Sequence, residues 1–550
     1  MTLRRCSAPF AAIMFVASAL SAQSAHPITP DALRRELLAF SDDSMQGRAT
    51  GTRGNARAVE YLARELARAG IKRAGEEDTY FQKVPILRLH VDVKGARVSA
   101  GNGVTGAPAA AGATAAALEL KPGVDFVPIA GHFGAPFAIK AVPDPNADKW
   151  HQTQFFLTRG ALDDLVNPDS LLPHDTPSDT AWLSQVSFVL KPPHREDGQP
   201  DYQIWNALQF VEQYRGACAL FIESLDFTPR SVLASLAQPG FVLGPDPRPR
   251  PPTVKVPGDM PAVIAVSSAA ASLLHLAPAA FIVHGPGQNA DVRFSWSTSA
   301  LPAPTRNVLA MVEGGDRSSE VVVLSAHADH LGIAPRENRI GSDSIMNGAD
   351  VSGTGSVALL EIAQYMKSLP RRPSRTIVFL WTVGGEQGGL GAQWFVERPS
   401  PWLGTVVANI DIDAIGRGGA ADIEDGGPAY VEILGANQLS AEYARWGREV
   451  VGRPELGLHP GNYIETSGPS PKSFCVGDGW RFTHAGVPSV LVTTGEHPDF
   501  RAVTDSPDRI DYDKFARVTR FVAALALDIA NRPDRPRVDS TTRRVQPPCR

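Results

Sequence analysis

The chain is poor in cysteine, nearly balanced in charge, and without long apolar runs beyond its first residues. Only Cys6, Cys218, Cys475 and Cys549 occur in 550 residues. None of them stand in a CxxC pair, which excludes a thiolate zinc motif. One disulfide among Cys218, Cys475 and Cys549 is open in an oxidising compartment, and the spacing chooses no pair. The formal charge of −5 gives no basic footprint, so nucleic acid is not an expected partner. After Ala19 there is no stretch of about 20 apolar residues, so no bilayer span is expected.

What is there begins with a targeting pattern. Arg4 and Arg5 precede an apolar run from Ala8 to Ala19, and small residues from Ser21 to Ala25 follow. That order reads as a secretory signal over residues 1–25, and a secreted or periplasmic chain, free of the membrane after cleavage, is expected. Two helices are predicted between Asp31 and Ala69. The second carries Val59, Leu62 and Leu66 on one face, and Gly70 ends it. Residues 99–117 are rich in Gly, Ala and Thr and read as a linker. Residues 118–290 hold short strand patterns, including Phe126–Ile129 and 261–266, and read as an inserted, β-rich accessory domain. Residues 26–117 and 291–535 then form the two parts of the main domain, with a disordered tail at 536–550.

From Asn307 the pattern alternates between apolar strands and amphipathic helices. Val321–Leu324, Thr376–Trp381, Val406–Ile412 and Ser489–Thr493 are strand candidates, and Ser356–Met366 is a helix candidate. This predicts an α/β fold with a mostly parallel central sheet and helices on both faces. Ligand sites in such folds collect at the carboxyl ends of the strands.

The chemistry-bearing residues fall at those ends. His327 and Asp329 form a His-x-Asp pair, in which the carboxylate is suited to fix the imidazole. Asp350 lies in a glycine-rich loop before a helix. Glu386 sits in the glycine-rich turn Gly384–Gly391. Asp411 and Asp413 interrupt an apolar run, where a carboxylate is costly unless paired or bound to metal, and alternation leaves either as a ligand.

Taken together and in this order, these segments resemble the M28 family of zinc exopeptidases. Met45–Arg48, Tyr61–Leu66, Asn307–Leu309, Ser325–Gly332, Thr493–Phe500 and Asp505–Ile510 carry the resemblance. The part around Gly216–Ala219 resembles a protease-associated domain. The resemblance implies that His327 and Asp413 hold one zinc, that Asp350 bridges to a second, that Glu386 ligates the second, and that Asp329 orients His327. It also implies peptide or protein substrates, hydrolysed from their N-termini.

The pattern breaks twice. The family's general base falls on Gly385, which cannot carry a proton, and its last histidine ligand falls on Arg501, which has no lone pair to give. One zinc at most is expected, with Arg501 standing in for the second by pairing with Glu386 or Asp350. Exchanging Arg501 for His and Gly385 for Glu is then expected to raise zinc content and activity. Two functions compete: a zinc aminopeptidase, and a silent relative that binds peptides or proteins. A glutaminyl-cyclase-like, single-zinc acyltransferase is a third, and the missing glutamate counts against it. His484 and His497 are reserve donors.

Overall fold

The computed structural model describes residues 26–91, 298–334, 339–423, 426–435, 439–460 and 477–538, with short runs between 94 and 295 and at Phe474. The proposed signal segment, the four cysteines and residues 539–550 of the tail lie outside the described residues.

In chain order the main elements are α1 (Pro30–Phe40), α2 (Arg53–Arg68), β1 (Phe81–Val91), β2 (Thr298–Val312), β3 (Arg317–His327), α3 (Gly355–Ser368), β4 (Arg375–Thr382), α4 (Leu390–Glu397), β5 (Thr405–Ile412), β6 (Tyr430–Leu434), α5 (Ala441–Val451), α6 (Asp478–His484), β7 (Ser489–Thr493) and α7 (Tyr512–Asn531). Local chemistry starts the helices. The Thr29 hydroxyl accepts the Ala32 N–H ahead of Pro30, and Asp511 accepts the Lys514 N–H. Gly70, at φ +65°, follows α2 in the left-handed region.

The central sheet has the order β6-β7-β5-β3-β4-β2-β1. β3 runs parallel to β4 and β5, and β5 parallel to β7. β6, β2 and β1 are antiparallel additions on either side. Every residue of β4 is buried, as an apolar strand covered on both faces must be. Helices α1, α3 and α7 cover one face, and α4 with α6 covers the other. The expected α/β architecture is therefore present.

Within residues 118–290, five short strands pair as a separate sheet: 126–129, 262–266, 219–223, 186–190 and 153–157. Phe241–Leu243 does not join them. It pairs antiparallel with Ile86–Arg88 of β1 and extends the main sheet, although it falls within the range 118–290 expected as an accessory domain.

Candidate functional site

Three parallel strands deliver the site. β3 ends on His327, β4 runs into the Gly384–Gly389 turn, and β5 ends one residue before Asp413. The loop before α3 brings residues 348–354, and the segment after β7 brings His497 and Arg501. Four non-glycine residues here hold left-handed backbone: Arg48, Ser352, Ala414 and Arg501, at φ +50° to +67°. Each costs on the order of 1 kcal/mol or more, and such strain concentrates at functional sites.

His327 Nε2 lies 3.6 Å from Asp413 Oδ2. Its Nδ1 hydrogen-bonds the main-chain oxygen of Asp329 at 3.0 Å. The Asp329 carboxylate, expected to orient His327, lies 3.8 Å from the same Nδ1 through Oδ1 and also accepts the N–H groups of Gly385 (3.0 Å) and Glu386 (3.3 Å) and the Thr50 hydroxyl (2.8 Å). Asp329 thus meets His327 through its main-chain oxygen and its carboxylate, and the same carboxylate holds the Gly385–Glu386 turn. Burial disfavours the charged imidazole, but Asp413 and Asp329 outweigh it and keep His327 well above its ordinary pKa.

Glu386 is buried between two partners. Its Oε1 meets His330 Nδ1 at 3.0 Å, and its Oε2 accepts Arg501 Nη2 at 2.9 Å. Burial alone would raise this carboxyl, yet Arg501, His330 and His327 hold it far below the usual carboxylate range. His330 is fully buried. Its sole signal in the sequence is its place in Ala326–His330.

Asp350 does not bridge toward His327. Its Oδ1 accepts the Gly416 N–H (2.7 Å) and the Thr354 hydroxyl (3.0 Å), and its Oδ2 lies 3.3 Å from His497 Nε2. The loop reverses at Ser352, φ +67°, so that Ser352 N–H reaches Asp413 Oδ1 at 2.8 Å while Asp350 turns to His497. Asp505 braces the turn by accepting the N–H groups of Asp350 and Val351. His484 lies at the end of α6 against Trp480.

Of the four expected ligands, His327 and Asp413 face each other, while Asp350 goes to His497 and Glu386 to His330 and Arg501. Among the described residues no three His, Cys, Asp or Glu side chains converge on one point. A zinc site needs three or four protein donors. The donor set does not fit a pair of zinc ions, and an arginine occupies one face of it.

Beneath the site, Asp411 accepts the Ser325 hydroxyl (2.7 Å) and the Gly479 N–H (2.9 Å), and Asp478 accepts the Thr382 hydroxyl. Asp411 therefore faces the interior, and the choice between it and Asp413 is settled as to which one meets His327. Burial pushes both carboxyls up, and for Asp411 the nearby Asp478 adds to it. A carboxyl whose folded pKa is raised keeps its proton in the fold after the unfolded chain has lost it. Stability from this pair is present at low pH and declines as pH climbs above about 4. Asp478→Asn should flatten that decline, sparing about 1–2 kcal/mol between pH 5 and pH 8 in urea titrations. An unchanged slope would show that the two carboxyls do not share this burden.

Comparison with known proteins matches part of the chain to a family model. Residues 307–526 match the model of Peptidase family M28. A vacuolar membrane protease of Clavispora lusitaniae is 27% identical over 131 residues, 24% of this chain and 11% of that one. Leucine aminopeptidase 1 of Arthroderma otae is 36% identical over 92 residues, 16% of this chain and 22% of that one. The matched stretches thus span less than a quarter of these curated relatives. Among solved structures, an aminopeptidase from Aneurinibacillus sp. strain AM-1 aligns with a TM-score of 0.48 at 13% identity, covering 93% of this chain and 96% of that one. The expectation of a secreted or periplasmic chain is corrected here, because the relatives include proteases named for the vacuolar membrane. No helix among the described residues is long and apolar enough to cross a membrane.

Proposed function

We propose, from the match of residues 307–526 to the model of peptidase family M28, that the cleft at the ends of β3, β4 and β5 binds peptides without cleaving them. One observation carries this reading: the Arg501 guanidinium sits 2.9 Å from the carboxylate of Glu386, the residue that the family resemblance assigns to the second zinc. Arginine stays protonated and donates no lone pair, so it supplies positive charge there but no Lewis-acid chemistry. Gly385 offers no base beside it. In this reading the five-stranded sheet is the core of an inserted domain flanking the cleft.

A second reading keeps a zinc exopeptidase that removes N-terminal residues. It is favoured by the 3.6 Å between His327 Nε2 and Asp413 Oδ2. Two ligands of one tetrahedral zinc, at about 2.0–2.2 Å each, stand roughly 3.4 Å apart. Zinc content of the purified chain and turnover of unblocked amino-acid anilides separate the two. The binding reading expects substoichiometric zinc and no anilide release above buffer. Two zincs with turnover would sink it, and a single zinc with turnover would establish the exopeptidase.

A further inference from the structure

We infer that the cleft holds its peptide ligand by a carboxylate, with Arg501 as the anchoring residue. This deepens the peptide-binding reading and rests on it.

The argument is an account of donors and acceptors. A cleft that grips a peptide amino terminus needs carboxylate oxygens free to accept from an ammonium group. Those of Glu386, Asp413 and Asp329 are engaged, and those of Asp350 are out of reach of a ligand. Both oxygens of Glu386 are taken, by His330 and Arg501, and its side chain is only 2% exposed. Asp413 gives Oδ1 to the Ser352 N–H and faces His327 with Oδ2. Asp329 is fully buried and accepts three bonds. Asp350 is fully buried as well.

Donors are in the opposite position. The Arg501 side chain is 52% exposed, and its hydrogen bond to Glu386 runs through Nη2 alone. A guanidinium carries five N–H groups in a planar fork with two bidentate edges, Nε with Nη2 and Nη1 with Nη2; the Glu386 bond takes one N–H of Nη2, so the edge it leaves open can receive a second carboxylate. The guanidinium carbon stands 5.6 Å from the centre of the Phe500 ring, which supports the plane from one side. The left-handed backbone of Arg501, φ +58°, fixes where the side chain starts, and that geometry is held at a cost. The incoming carboxylate belongs either to a peptide C-terminus or to an acidic side chain, since the two present the same oxygens.

Calorimetric titration of the full chain in the presence of a chelator tests this. The probes are tetraalanine as the free acid, tetraalanine with an amidated C-terminus, N-acetylated tetraalanine, and an amidated tetrapeptide with one internal glutamate. The free acid should bind about tenfold more tightly than its amide, the worth of one charge-assisted contact, and N-acetylation should change little. Recovery of affinity by the glutamate peptide assigns the anchor to side-chain carboxylates, and no recovery assigns it to the C-terminus. Arg501→Gln should erase the difference between acid and amide, and Arg501→Lys, which keeps the charge but not the fork, should restore part of it. If Arg501→Gln does not fold, the lysine variant carries the test. Equal binding of acid and amide, or a loss of binding on N-acetylation alone, overturns the inference while leaving peptide binding intact. Binding of none of the peptides, or cleavage of tetraalanine, overturns the peptide-binding reading itself.

Discussion

Gly385→Glu combined with Arg501→His is expected to yield a less stable chain that still does not hydrolyse amino-acid anilides. The sequence alone led to the opposite expectation, a gain of zinc and activity. Packing around Gly385 reverses it. A Cβ built on Gly385 would lie 2.4 Å from both Cβ and Cγ of His327 and 2.7 Å from its Nδ1. Carbon atoms do not approach that closely, so even alanine must displace the imidazole. Overpacking of this kind costs about 1–3 kcal/mol. His327 is fixed by the Asp329 carbonyl and faces Asp413, so moving it dissolves the pair that most resembles a metal seat. Arg501→His also removes the guanidinium from a buried Glu386, which adds to the loss. Chemical denaturation of Gly385→Ala reads the steric part alone. A neutral alanine variant, or anilide turnover by the double variant, would show that His327 moves freely and that the cleft is one exchange from a working peptidase.

The strands that carry the site were legible because buried parallel strands are nearly continuous apolar runs. β7 follows its sequence pattern residue for residue, and β3 to β5 extend theirs by a few positions. The destinations of the carboxylates were not legible, and each failure has a local cause. Period-two alternation assigns Asp411 and Asp413 to one face, but β5 ends at Ile412 and the chain turns at Ala414, φ +50°. Asp350 was assigned by position in a loop whose reversal at Ser352 no propensity predicts for a residue with a side chain. His-x-Asp spacing does not show that the main-chain oxygen of Asp329 meets the imidazole along with its carboxylate. The edge pairing of Phe241–Leu243 with β1 joins residues about 150 positions apart, beyond any local pattern. The pairing of Arg501 was anticipated from chemistry rather than pattern. A guanidinium in a cleft needs a carboxylate, and of the two offered, Glu386 and Asp350, Arg501 meets Glu386.

Arg48→Met is expected to cost about 3–5 kcal/mol of stability, the scale on which a buried, multiply bonded charge is lost. Arg48 is fully buried. Its Nη1 donates to the main-chain oxygens of Asn347 (2.6 Å) and Phe40 (3.3 Å), and its Nη2 to Gly348 O (2.8 Å) and Ser352 Oγ (3.1 Å). Its guanidinium also stacks over Phe40, 4.7 Å from the ring centre. Burial lowers it to about 10, opposed by Asp505, Asp329 and Glu386, so it stays charged at neutral pH. One side chain thus fastens the segment after α1 to the loop before α3. Methionine fills the volume but strands three buried carbonyls without their donor. The effect should extend past stability. The loop it fastens holds Ser352, whose N–H positions Asp413, so hydrogen exchange at Ser352 should quicken before the rest of the chain opens. Arg48→Lys should recover little, because one ammonium cannot reach four acceptors arranged for a fork. If Arg48→Met unfolds within about 1 kcal/mol of the parent chain, or exchange at Ser352 is unchanged, the loop is held by Asp505 and the glycines alone, and Arg48 only fills space.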